Sequence, residues 1–80
     1  MYGVRHHIAE EFPSYTSDIT HLKTKDPQFA QLLTEYDQTD KKIYGLEMKS
    51  RPVTDAYVED LKKRRVVLKD RIYGALIRQR

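Results

Sequence analysis

The segment His-His-Ile-Ala-Glu-Glu near the N-terminus combines residue types that bind metal ions. His6 and Glu10 are four residues apart, as are His7 and Glu11, and on a helix this spacing lets two side chains reach one ion. His21 could supply a third ligand. However, neighbouring histidines point to different sides of a helix, and the chain has neither cysteine nor an HExxH motif. The ligand shortage favours a polar N-terminal tail, and metal binding by these histidines is the third functional hypothesis.

The densest basic stretch is Lys62-Lys63-Arg64-Arg65, followed by Lys69 and Arg71. Such a cluster could contact the phosphates of a nucleic acid. Four consecutive residues point in different directions on a helix, so they do not form a stripe that follows a phosphate backbone. Acidic residues are interspersed with them, which favours a solvated, ion-paired face. A weak, salt-sensitive association with nucleic acid is therefore the runner-up hypothesis.

Catalytic chemistry finds no support in the residue pattern. Ser14, Ser17, Ser50 and the histidines show no recognisable nucleophile motif, and no glycine-rich phosphate loop is present. A helical hairpin also offers few concave sites. We expect neither an enzyme nor a cofactor.

Length and composition indicate one small domain. Eighty residues bury little surface, so a chain of this size commonly needs a staple or a partner, and the absence of cysteine removes disulfides. No apolar run approaches the roughly 20 residues of a membrane span, and no signal peptide is evident. The absence of cysteine fits a reducing compartment, so we expect a cytoplasmic protein with a mildly basic surface of net charge +3.

Helix start and stop signals divide the chain. Asp26-Pro27 combines a capping side chain with proline at the first helical position, and it predicts the start of a long helix. Arg51-Pro52 should end that helix, and Thr54-Asp55 should begin a second one. Two long helices joined by about five residues fold back on each other as an antiparallel hairpin.

Apolar residues at helical spacing support the same division. The first long helix carries Phe29, Leu32, Leu33, Tyr36, Ile43 and Leu46, and the second carries Val58, Leu61, Leu68, Ile72 and Ala75 or Leu76. Upstream, the same spacing of Phe12, Tyr15, Ile19 and Leu22 predicts a short helix. The predicted fold is all-α, an antiparallel two-helix hairpin of coiled-coil type with a short N-terminal helix. Residues 1–13 should be a flexible histidine-containing tail, 14–25 the short helix and 26–80 the hairpin, with helices at about 27–50 and 55–78.

The hairpin register predicts one polar layer in its seam. Folding about Pro52 makes the numbers of facing residues sum to about 104. Both apolar stripes lapse at one level, where Thr39 falls opposite Arg65 and Asp40 is within reach. We therefore predict that Arg65 pairs with Asp40 or Asp37. Because such layers fix register more than they stabilise, replacing Arg65 with leucine should leave the protein folded.

Apolar residues left over by the seam suggest a binding surface. The candidates for an interaction surface are Phe12, Tyr15, Tyr44, Val66, Tyr73 and Ile77. Tyrosine, which occurs six times in the chain, suits interfaces that are apolar on one side and wet on the other. Because the core of such a hairpin is thin, we expect a protein–protein interaction module that dimerises into a four-helix arrangement.

Several segments together resemble a known family. They are HHIAEEFPSY, HLKTKDPQF, LLTEYDQTDKKIYGLE and VEDLKKRRVVLKDRI, and in this order they are similar to the small bacterial YdcH-like family over nearly the whole chain. The most specific pieces are EFP with the following tyrosine, EYDQTDKKI and LKKRRVVLKD. The resemblance implies a helical hairpin and no established molecular function. Family members usually have leucine where this chain has Thr39, which enlarges the polar layer here.

Overall fold

A computed structural model describes residues 4–49 and 55–79 of the chain. Within them the protein is all-α. Helix α1 spans Ile8–Glu11, a 3-10 turn spans Pro13–Tyr15, and helices α2, α3 and α4 span Thr16–Lys25, Pro27–Lys49 and Asp55–Gln79. Helices α3 and α4 pack along each other as the predicted antiparallel hairpin. The predicted stop at Arg51-Pro52 and the predicted cap at Thr54 lie outside the described residues.

Asp26 separates α2 from α3 and caps both helices. Its Oδ1 accepts hydrogen bonds from the backbone N–H groups of Gln28 at 3.0 Å and Phe29 at 3.3 Å, as the Asp-Pro signal predicts. Its own N–H donates to the carbonyl of Leu22 at 2.8 Å and so closes α2. The backbone of Asp26 is extended, with φ −119° and ψ 104°. This single extended residue turns the chain, and α2 packs back against α3.

The core lies where α2 covers one end of the hairpin. Its buried members are Ile19, Phe29, Tyr36, Leu68, Ile72 and Leu76. Phe12, Tyr15 and Leu22 are partly buried against this cluster, consistent with an N-terminal helix that docks through its apolar spacing. Ile43 is also buried but lies outside the cluster, on the far side of Asp40 in the sequence of α3. The hairpin seam therefore consists of two apolar portions with a charged layer between them.

Residues 4–12, here called the N-terminal arm, differ from the expected flexible tail. The arm contains α1, whose first turn is closed by hydrogen bonds from Glu10 and Glu11 N–H to the carbonyl of His7, each 3.0 Å long. Ile8 and Phe12 pack against the core cluster. The arm lies on the hairpin because a buried carboxylate of the seam binds it, and this contact joins residues too far apart in sequence for local patterning to predict.

Candidate functional site

Asp40 is the centre of a charged cluster that joins the arm, α3 and α4. Its side chain is 1% exposed. Oδ1 accepts from Nη1 of Arg65 at 2.8 Å, and Oδ2 accepts from Nε of Arg5 at 2.7 Å. Oδ2 also accepts from the backbone N–H of His6 at 3.0 Å. Both carboxylate oxygens are thus bonded, which is the condition under which a buried charge is tolerated.

The protonation of Asp40 follows from these contacts. Burial raises the pKa of its carboxyl, but the hydrogen bonds from Arg5, from the His6 backbone and from Arg65 outweigh burial and hold the pKa below its ordinary value. Asp40 is therefore a carboxylate at neutral pH. The charge of Asp40 holds its three hydrogen-bond donors in place, and it thereby fixes which residues of α3 and α4 face each other at this layer of the seam.

Tyr36 ties the arm to α3 a second time. Its hydroxyl donates to the backbone carbonyl of His6 at 2.6 Å, so both backbone polar groups of His6 are bonded to α3. Burial raises the pKa of the Tyr36 phenol to about 12, and the nearby negative charges of Asp40 and Glu11 add to this shift. The phenol stays protonated and remains a donor over the whole physiological range.

Replacing Tyr36 with phenylalanine tests this bond. At pH 7 the variant should lose about 1 to 2 kcal/mol of unfolding free energy, because the His6 carbonyl loses its donor. In the wild type the pKa of the Tyr36 phenol is raised in the folded state, so the wild type should lose stability as the pH rises from about 10 to about 12. This loss should be on the order of 2 kcal/mol larger in the wild type than in the variant.

Urea unfolding at pH 9 to 12 measures the difference. Tyr57→Phe, at an exposed position of α4, is the control and should keep the alkaline loss because Tyr36 is intact. If the free energy of unfolding fell equally with pH in the wild type and in Tyr36→Phe, the raised pKa of the Tyr36 phenol would be contradicted.

The structure brings together Asp40 and Arg65, which is one of the two pairings that the hairpin register predicts. Thr39 is half-buried beside them but takes no part in the cluster, because its Oγ1 donates to the carbonyl of Glu35 in its own helix at 2.8 Å. Sequence reasoning missed Arg5 and the backbone of His6. One signal was available. A buried carboxylate can accept more hydrogen bonds than one arginine donates to it, which indicates a further donor elsewhere in the chain.

Three of the predicted surface residues form an aromatic cluster. The rings of Phe12 and Tyr73 stack with centroids 5.3 Å apart, and Tyr15 meets Tyr73 edge to face at 5.9 Å. Lys69 reaches over Phe12 and binds Glu11 at 2.7 Å. Phe12 and Tyr15 are consequently engaged within the chain, and they fasten the end of the arm and the 3-10 turn to α4. Tyr73 retains 42% of its surface in solvent.

The remaining predicted surface residues do not form one patch. Val66 and Ile77 are exposed on α4, at 56% and 47%, and Val67 beside them is 45% exposed. Tyr44 is half-buried on α3. In an antiparallel hairpin its position near the end of α3 is roughly 20 Å along the axis from the level of Tyr73. Tyr44 therefore lies apart from Tyr73, and it is on α3 whereas Val66, Val67 and Ile77 are on α4.

His6 and His7, which the third hypothesis considers as metal ligands, are not arranged as a metal site. Helix α1 begins at Ile8, so His6 and His7 precede it and lack the helical spacing to Glu10 and Glu11. His6 Nδ1 lies 4.0 Å from Glu11 Oε1, while that oxygen binds Lys69. Among residues 4–49 and 55–79, no three His, Cys, Asp or Glu side chains are grouped so that they could hold an ion.

The basic stretch is largely neutralised within the chain. Four of its six basic residues bind carboxylates: Lys62 binds Glu47, Arg64 binds Glu35, Arg65 binds Asp40 and Lys69 binds Glu11. Lys63 and Arg71 are exposed. The cations of this stretch mainly fasten α4 to α3 and to the arm, which leaves little charge to contact phosphates.

Within the described residues, no helix combines the length and the apolar character needed to cross a membrane.

Comparison with known proteins identifies the family of the chain. Neither the curated proteins nor the solved structures contain a match to the chain. The family model described as "Protein of unknown function (DUF465)" matches residues 29–76, which cover most of α3 and α4. Because this match spans more than half of the chain, the protein belongs to that family, the YdcH-like proteins of unknown function.

Proposed function

We propose that this protein is a non-enzymatic protein-binding module that self-associates through the outer face of α4. The outer face is the side of α4 turned away from the hairpin seam. Its residues follow helical spacing: Glu59, Lys63, Val66, Val67, Asp70, Gly74 and Ile77. The observation that carries the proposal is the exposure of three large apolar side chains on this one face, Val66, Val67 and Ile77.

Exposed apolar side chains favour association when they lie together on one element. Isolated ones are normal on protein surfaces, but Val66 and Val67 are adjacent and Ile77 is three helical turns further along the same face. The small core of the chain is a second reason to expect self-association. An 80-residue chain gains more from pairing than a larger domain does, because its own core supplies few kcal/mol.

Static light scattering over concentration tests the proposal. The wild type should pass from the monomer mass of 9.5 kDa to twice that value as its concentration rises. Val66→Ser combined with Val67→Ser should weaken the dimer at least about tenfold, because two apolar side chains would no longer be removed from water.

Met48→Ser is the matched control. Met48 is 58% exposed, similar to Val66, but it lies on α3. Its replacement should leave the dimer unchanged. A wild type that stays monomeric at all concentrations, or an equal loss of association in Met48→Ser, would contradict the proposal.

A further inference from the structure

The charges on the outer face of α4 are arranged symmetrically about two valines. Lys63 is three residues before Val66, and Asp70 is three residues after Val67. Both charged residues are exposed, and neither belongs to the ion pairs that fasten α4 to the rest of the described chain. A helix face with a cation at one distance from its centre and an anion at the same distance on the other side is complementary to its own antiparallel copy.

We infer that two copies pair through antiparallel α4 helices, about a two-fold axis that passes between Val66 and Val67. The inference rests on the proposed self-association and names its geometry. Residues equally distant from the axis then face each other, so that Lys63 meets Asp70 of the partner subunit and Val66 meets Val67 of the partner subunit. The two-fold axis creates each of these contacts twice.

Two further positions fit the same arrangement. Ile77 comes opposite Ala56 of the partner subunit, and both positions are exposed in the single chain. Arg71 comes within one turn of Asp60 of the partner subunit, again joining exposed residues of opposite charge. A parallel pairing lacks these features, because it places Lys63 beside Lys63 of the partner subunit and Asp70 beside Asp70 of the partner subunit. Opposite charges that meet across an interface fix its register, while like charges disfavour the alternative.

A charge swap in the full chain tests the geometry. Light scattering would give the dimerisation constants of Lys63→Glu, of Asp70→Lys and of the variant that carries both substitutions. Each single variant should weaken the dimer at least about tenfold, because it creates two like-charge contacts per dimer. The double variant should return to within about threefold of the wild type, since it restores both attractive contacts with their signs exchanged.

Two controls separate the geometry from general charge and folding effects. Lys41→Glu, at an exposed position on α3, makes the same change in net charge as Lys63→Glu and should leave dimerisation unchanged. Circular dichroism at concentrations where the protein is monomeric should show all variants folded. Lys63 and Asp70 are about 10 Å apart along one helix, so the two exchanged charges do not contact each other within a chain.

The outcomes distinguish this inference from the proposal beneath it. Recovery in the double variant alone supports the antiparallel pairing. Single variants that dimerise like the wild type, or a double variant that stays weak, would overturn the pairing and leave self-association standing. A wild type that remains monomeric would overturn both.

Discussion

Replacing Asp40 with asparagine should lower the free energy of unfolding by about 2 to 4 kcal/mol. The substitution keeps the shape of the side chain and removes the charge that Arg5, Arg65 and the His6 backbone share. Removing one partner from a fully buried ion pair costs about 3 to 5 kcal/mol. The expected cost is somewhat smaller because the side chains of Arg5 and Arg65 are 25% and 17% exposed. Thermal and urea unfolding would measure it.

Asp37→Asn is the matched control for Asp40→Asn. Asp37 is also an α3 aspartate and also binds Arg5 at 2.7 Å, but its side chain is 60% exposed. Its replacement should cost no more than about 1 kcal/mol, as is usual for exposed ion pairs. Equal losses in the two variants would show that burial of the cluster has no energetic consequence.

Asp40→Asn should also change how the free energy of unfolding depends on pH below about 5. The pKa of Asp40 is lowered in the folded state, so its contribution is present above the unfolded value of about 4 and is lost as the pH falls below it. Asp40→Asn should therefore lose less stability than the wild type on going from pH 5 to pH 2.

Removing both arginines should cost far more than the sum of the single replacements. In Arg65→Leu the carboxylate keeps Arg5, and in Arg5→Met it keeps Arg65, so each single variant should lose about 1 kcal/mol, the net contribution of one hydrogen bond. The double variant leaves a buried charge with the His6 N–H as its remaining donor. We expect a loss of about 3 to 5 kcal/mol.

A double-mutant cycle in urea measures this coupling. The interaction free energy between Arg5 and Arg65 should reach about 1 to 3 kcal/mol, although the two guanidinium groups repel each other and act only through Asp40. Strict additivity would mean that the two cations do not share the carboxylate.

The hairpin could be predicted because its determinants are local. Asp26-Pro27 specifies a helix start through one side chain and one ring, and the structure places the start of α3 there. The apolar stripes also specify which sides of α3 and α4 meet, since 3.6 residues per turn is a property of the backbone. Burial of Phe29, Leu68 and Ile72 follows from that spacing alone.

The arm could not be predicted because its determinants are distant. Arg5 and Asp40 are 35 residues apart, and nothing in the spacing of either segment indicates their contact. The same holds for Phe12 on Tyr73, where the ring contact depends on how the 3-10 turn brings the arm across the hairpin. The pairing of Arg65 with Asp40 or Asp37 could be predicted, because the hairpin register places these aspartates near Arg65.

The two sides of α4 have different roles. The cations on one side, including Arg65 and Lys69, hold the helix to α3 and to the arm. The opposite side keeps Val66, Val67 and the charges beside them in solvent. A helix that is fastened on one side can present the other side as a rigid surface, which lowers the entropic cost of pairing.

Hydrogen exchange of the His6 amide tests most directly whether Asp40 makes the N-terminal arm part of the fold. This amide donates to Asp40 Oδ2, and no hydrogen bond of a helix protects it. In the wild type it should exchange at least about a hundredfold more slowly than in an unstructured peptide, and Asp40→Ala, which removes both acceptor oxygens, should remove that protection while Asp37→Asn keeps it. Exchange at the unprotected rate in the wild type would contradict the docking of the arm.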